Sequence, residues 1–189
     1  MDYNLDKFKN AILFFAKCVD GLGITKLNKL LYYSDFEHFR LYGVPILGDQ
    51  YVKMGKGPVP SLSYATFNAN FSTNEDSTLK DTIDVQKETW IESILGRERV
   101  MKRIIPKHEP DLSVFSKSEI AVMQEIATKW KSATASAMSF QSHLESPWKD
   151  TEELGVIDYK LALNGDSVSR KYVEYKEAED QLLESALSQ

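Results

Sequence analysis

Between Gly23 and Gly43 runs a segment that carries aromatic side chains around most of a helical circumference. At a period of 3.6, residues 26–42 place Leu27, Leu30, Leu31, Ser34, His38 and Leu41 on one face. Tyr32, Tyr33, Phe36, Phe39 and Tyr42 fill the other arcs, which is more apolar surface than one core face uses. Such a helix is either central and covered on most sides, or it keeps one edge for a partner. Thr25 offers an N-cap oxygen, and Gly43 and Pro45 stop the helix. Covering it takes a sizeable core, and 42% hydrophobic residues over 189 positions supply one.

The flanking segments are read in the same way. Leu5, Phe8, Ile12, Phe15 and Val19 alternate in steps of three and four, predicting a helix over 4–20 that ends at Gly21 and Gly23. Tyr51–Met54 reads as a short strand, with Gly57 and Val59 held extended by the prolines that follow them. Ser61 is expected to cap a helix reaching Phe71, and the polar run Ser72–Thr82 reads as a mobile loop. A helix is expected over 84–95, carrying Trp90, Ile91, Ile94 and Leu95, and a strand over 98–105. Ser116 and Glu119 make a capping box, with Phe115 and Ile120 as its staple, for a helix reaching Lys131. A shorter helix follows over 133–144. Alternation of Ile157, Tyr159, Leu161 and Leu163 with more polar residues predicts a strand, and 169–187 a last helix with an acidic outer face. The expected fold is mainly α (α+β), six to seven helices with a small antiparallel β-sheet or hairpin. Residues 1–189 are expected to form a single domain, which 150–189 completes with a strand and the C-terminal helix.

Charge and chemistry narrow the function. Twenty-three Lys and Arg against 28 Asp and Glu leave a net charge of −5, without the basic excess of most nucleic-acid-binding domains. The apolar run 11–16 is too short to span a bilayer and its flanks do not make a signal peptide, so a cytoplasmic location is expected and no membrane partner. The single cysteine, Cys18, excludes an intramolecular disulfide, and its apolar helical setting suits a small hydrophobe better than a nucleophile. Neither a GxSxG elbow nor a phosphate-cradling GxxxxGK[ST] loop occurs. His143 and Glu145, two residues apart, would face different directions on a helix and share a metal poorly. His143 and His38 read instead as buried histidines bonded to backbone. No catalytic residue, cofactor or metal is expected. One local basic cluster remains: Arg97, Arg99, Lys102 and Arg103, with Lys53 and Lys56 expected on a neighbouring strand to complete a positive face. That face reads as a solvated edge strand, a nucleic-acid contact or a site for an acidic protein.

Three strings stand in order along the chain: Leu27-Asn28-Lys29-Leu30-Leu31-Tyr32-Tyr33, then Gly57-Pro58-Val59 with Tyr64, then Ser142-His143-Leu144-Glu145-Ser146-Pro147-Trp148. Together they resemble the SocA-like antitoxin domain, also called the Panacea domain, over residues 8–150. Lys56 stands where that family often carries an aromatic. The resemblance implies a protein-binding module and not an enzyme. It implies an antitoxin of a toxin–antitoxin system, whose partner is a cognate toxin protein neutralised by direct binding. Delivery of that toxin to a AAA+ protease is a further route it implies, as is carriage by a phage or mobile element. The alternative is a nucleic-acid-binding or phage regulatory protein using the basic strand 97–107, although no helix-turn-helix segment precedes the motifs to read a promoter. The motif residues are Lys29, Leu30, Tyr32, Gly57, Pro58, Val59, Tyr64, His143, Pro147 and Trp148. They read mostly as fold-makers: Gly57 and Pro58 set a bend, Trp148 anchors in the core, and His143 pins the adjoining loop. Partner contacts are expected instead at Lys53, Lys56, Arg97, Arg99, Lys102 and Arg103, in the 72–84 loop and on the acidic terminal helix.

Overall fold

The computed structural model describes residues 5–68, 79–92 and 97–187. Helix α1 (Leu5–Cys18) buries Phe8, Ile12 and Phe15 of the predicted stripe, with Leu5 half-buried at its start and Val19 buried just past its end. Helix α2 (Ile24–Tyr42) lies at the centre, with every residue from Lys26 to Phe36 buried, and His38 and Phe39 beyond them. Its aromatic circumference is therefore covered by the rest of the chain except at Tyr42, which is exposed. Leu41, expected inside, is 38% exposed, because the helix leaves the core in its last turn. The cap is Gly23, with no side-chain cap bond, and Thr25 falls inside the helix. A neighbouring strand decides this: Met101 Cγ lies 2.9 Å from where a Cβ on Gly23 would stand, and Ile104 N donates to Leu22 O at 2.8 Å.

Two separate two-stranded antiparallel sheets accompany the helices. Strands β1 (Tyr51–Met54) and β2 (Gly57–Pro60) form a hairpin in which Tyr51 faces Pro60 and Met54 faces Gly57. Helix α3 (Ser61–Asn68) follows directly. Ser61 is its first residue rather than its cap, and the Asp49 carboxylate takes the Leu62 N–H at 3.1 Å instead. Most of the expected 72–82 loop lies outside the described residues. Strands β3 (Ile83–Glu92) and β4 (Arg97–Pro106) pair over ten residues, from Ile83 against Pro106 to Glu92 against Arg97. The helix expected over 84–95 is thus a strand as far as Glu92, while Ile94 and Leu95 lie outside the described residues. Val85, Thr89, Trp90 and Ile91 favour extended backbone, and a full-length partner strand outweighs a short helical pattern.

After a 3-10 turn (Leu112–Val114), helix α4 (Lys117–Trp130) starts from the expected capping box: Glu119 N donates to Ser116 Oγ at 3.3 Å and Ser116 N to Glu119 Oε2 at 2.7 Å. Helix α5 (Ala135–His143), capped by Thr134, leads into the short α6 (Ser146–Lys149). The strand expected over 157–163 is a second 3-10 turn (Tyr159–Leu163). Asp158 Oδ1 accepts the Lys160 N–H at 2.9 Å, which curls the backbone; contact with β1 stays at the segment's start, where Val156 bridges to Val52 and Ile157 N donates to Tyr51 O at 2.7 Å. Helix α7 (Ser167–Leu187) packs Val173 against Phe39 of α2. The architecture is mainly α with a small antiparallel β component.

Candidate functional site

A helix buried on all sides must find a partner for each polar side chain it takes inside, because an unpaired buried polar group costs several kcal/mol. On α2 these are Lys26, Asn28, Lys29, Ser34, Asp35 and His38. Lys26 Nζ donates to the carbonyls of Asp20 and Lys131, joining the chain just past α1 to the end of α4. Asn28 Oδ1 accepts from Ser63 Oγ at 2.6 Å. His38 bonds Val44 O through Nδ1 and Ser118 Oγ through Nε2, the buried, backbone-bonded histidine its position predicted. Ser34 Oγ finds no partner among the described residues.

Asp35 is the densest node. It is fully buried and accepts from Ile46 N, Leu47 N and Gly48 N at 2.7–3.2 Å, and from the Tyr51 and Tyr159 hydroxyls at 3.0 and 3.1 Å. Burial pushes its pKa up to about 6, against the pull of these donors. One carboxylate therefore holds the 46–48 loop, the β1 strand and the second 3-10 turn onto α2.

The three sequence motifs converge beside it. Lys29, 1% exposed, donates from Nζ to Pro58 O at 2.7 Å, and burial pulls its pKa down to about 7. Gly57 has a φ of +96°, and a Cβ there would lie 2.6 Å from Ser142 Oγ and 2.8 Å from Lys29 Nζ. Only a glycine lets β2 pass between these two groups. Tyr32 OH donates to Glu145 Oε2 at 3.0 Å, and Tyr33 OH to Met138 O at 3.1 Å. The Glu145 pKa is raised, chiefly by burial and against the Tyr32 hydrogen bond. His143 stacks on Trp148 with ring centroids 4.0 Å apart, and Lys53 Nζ lies 4.2 Å from the Trp148 ring centroid. Leu30 is in the core, Pro58 and Pro147 are buried, Val59 is half-buried, and Tyr64 is 49% exposed on α3.

Two expectations change here. Trp148 is half-buried rather than a core anchor, and its Nε1 donates to Met54 O at 3.2 Å, so it clamps the β1–β2 hairpin from outside. His143 makes no backbone bond through Nε2, which is buried without a partner among the described residues. Burial and the nearby Lys29 and Lys53 hold its pKa below the usual histidine value.

The basic residues do not assemble. Lys53 and Lys56 belong to the β1–β2 hairpin, whereas Arg97, Arg99, Lys102 and Arg103 lie on β4 in the other sheet. Lys53 is held by Thr151 O at 2.7 Å, and Lys56 is exposed at the hairpin turn. Arg103 pairs with Glu88 at 2.9 Å across the strands, and Lys102 stands opposite Lys87. The side chains of Arg97 and Arg99 lie outside the described residues. Acids on β3 break what β4 alone suggested as a positive face.

Tyr32, Tyr33 and Glu145 also line a cleft of about 300 Å³ between α2, α4 and the 3-10 turn Tyr159–Leu163. Phe36 deepens its floor, Ile126, Pro147 and Leu161 add apolar surface, and Glu37, Arg40, Glu125 and Lys129 bring charge. The sequence reading missed Asp35 and Tyr159, and weighed Glu145 only as a metal ligand beside His143. The available signal for Asp35 was an acid set between aromatic residues, Tyr33 and Phe36, on a helix with an aromatic circumference.

The convergence of the three motifs on one knot has a counterpart in sequence comparison. The sequence model of the family described as antitoxin SocA-like, Panacea domain, matches residues 27–149. The chain belongs to this family. The match runs from the first motif residue on α2 to the last residue of α6, so the Panacea region contains the whole Lys29–Gly57–Ser142 contact and the Tyr32–Glu145 bond. No curated protein and no solved structure matches the chain. Among the described residues no helix is long and apolar enough to cross a membrane.

Proposed function

We propose that this Panacea-domain chain is the antitoxin of a toxin–antitoxin pair, neutralising a protein toxin by direct stoichiometric binding. The observation that carries this reading is the family match over residues 27–149. The geometry is in keeping with it. Most motif groups are spent on one another, as in a frame that presents variable surfaces rather than one that does chemistry. Cys18 is a poor nucleophile, since burial raises its thiol pKa. The nucleic-acid alternative loses support from the β3–β4 ribbon, where Arg103 and Lys107 are matched by Glu88 and Asp84. In this reading residues 1–189 act as one domain in the cytoplasm, and delivery to a AAA+ protease is a second step that the same complex would allow.

The test is co-expression with the product of the adjacent gene, scoring growth and co-purification with and without nuclease. Rescue of growth with a nuclease-resistant complex is expected. A toxic neighbour that is neither rescued nor retained overturns the proposal.

A further inference from the structure

The cleft between α2 and α4 has a sign as well as a shape. Glu37 is gripped by Arg40 through two bonds, at 2.9 and 2.5 Å, and the same guanidinium reaches Asp166 at 3.2 Å. Those charges are matched within the wall. Glu125 and Glu145 differ: neither forms an ion pair among the described residues. Glu145 is the deeper of the two, and it is met by neutral donors, the Tyr32 hydroxyl on Oε2 and the Gln141 side chain. The nearby cation, Lys129, pulls the Glu145 pKa down through its charge without pairing with it, and its Nζ stands 5.5 Å from the Trp130 ring centroid. Tyr32, Tyr33 and Phe36 form the floor, with Pro147 and Leu161 along the sides.

A desolvated carboxylate beside aromatic and aliphatic walls favours a cation that is weakly hydrated and carries apolar surface of its own. A guanidinium fits better than an ammonium, because it is planar, forks onto carboxylates and stacks on rings. About 300 Å³ is at the small end of ligand pockets, the scale of a single side chain rather than a cofactor. We propose that this cleft receives an arginine side chain of the protein partner, its guanidinium on Glu145 and Glu125 and its alkyl stem along the aromatic floor. The inference rests on the antitoxin reading for the identity of the partner, and on the cleft alone for its chemistry.

The experiment has two arms. In the first, the full chain is titrated with acetyl-Gly-Arg-Gly-amide and with the same peptide carrying neutral, isosteric citrulline, following the Tyr32, Tyr33 and Trp130 ring signals by NMR. The arginine peptide is expected to shift these signals and to bind roughly tenfold or more tightly than citrulline, the scale of one charged hydrogen bond. Glu125→Gln, on an exposed residue, and Glu145→Gln, which can still accept from Tyr32, should each weaken arginine binding with an unchanged thermal midpoint. Equal binding of citrulline, or no change in the variants, overturns the proposal. In the second arm both variants are scored against the adjacent gene product. If wild type neutralises and the Glu125→Gln/Glu145→Gln double variant does so equally, the arginine site falls and the antitoxin reading stands. If wild type fails to neutralise while the arginine peptide still seats in the cleft, the antitoxin reading falls and the cleft chemistry stands.

Discussion

The knot around α2 and the β3–β4 ribbon are both built of paired polar groups, yet they put those pairs in opposite settings. In the knot, Lys29, Asp35 and Tyr51 are buried, and each finds its partner on a different segment of the chain. In the ribbon, Arg103–Glu88 joins adjacent strands and Lys107, just past β4, pairs with Asp84, both pairs partly open to solvent. Ile91 and Val100 of the ribbon are 72% and 53% exposed. Losing a partner in the first setting strands a desolvated group, whereas in the second water takes its place. The knot therefore specifies the fold, and the ribbon can vary at small cost.

Breaking the knot at its densest node should have the largest effect. Asp35→Ala leaves three backbone N–H groups and the Tyr51 hydroxyl without their acceptor, while Tyr159 keeps only Asp49 O. A loss on the order of 4 kcal/mol is expected in urea unfolding, or failure to fold. Gly57→Val comes next, at about 3 kcal/mol, from a β-branched residue at positive φ and its clash with Lys29 and Ser142. A midpoint within error of wild type would contradict the close passage of β2.

Lys29 sharpens the contrast through pH. Its folded pKa of about 7 lies below the ordinary 10.5, so between those values the unfolded chain binds more protons than the folded one. Stability from this group rises with pH across that window, by at most about 1.4 kcal/mol per unit, and its penalty is complete below pH 7. Compared with Lys29→Met, wild type should gain stability from pH 7.5 to 9.5. Parallel pH profiles for the two proteins would count against a neutral buried amine.

Smaller effects follow toward the surface. Trp148→Phe removes the Nε1 bond to Met54 O and should cost about 1 kcal/mol, far less than loss of a core tryptophan. On the ribbon, Arg103→Ala should change stability by no more than about 0.5 kcal/mol. A loss as large as that of Gly57→Val would erase the distinction between the two regions.

What the sequence disclosed depended on how local the cause was. The α1 stripe, the Ser116–Glu119 box and the short β1 strand have causes within a few residues, and all were legible. Residues 84–92 and 157–163 were misread because their conformations are settled elsewhere, by β4 in one case and by the Asp158 side chain in the other. The site followed the same rule. The motif strings pointed to the right segments, but spacing could not show that Ser142 would face Gly57, or that Glu145 would meet Tyr32. Lys53 and Lys56 were grouped with β4 on charge alone, and chain topology put them in another sheet.

The enclosure of α2 also bears on the order in which the protein is made. Tyr159, whose hydroxyl reaches both Asp35 and Asp49 O, and Val173, which covers Phe39, lie beyond the family-matched region. During synthesis α2 emerges more than a hundred residues before either of them. Until then Asp35 lacks one of its donors, and Phe36 and Phe39 lack the Tyr159 ring that packs against both. A ribosome-bound chain stopped near residue 150 should therefore expose this side of α2 to protease, and protection should arrive only once the 159–173 segment has cleared the exit tunnel.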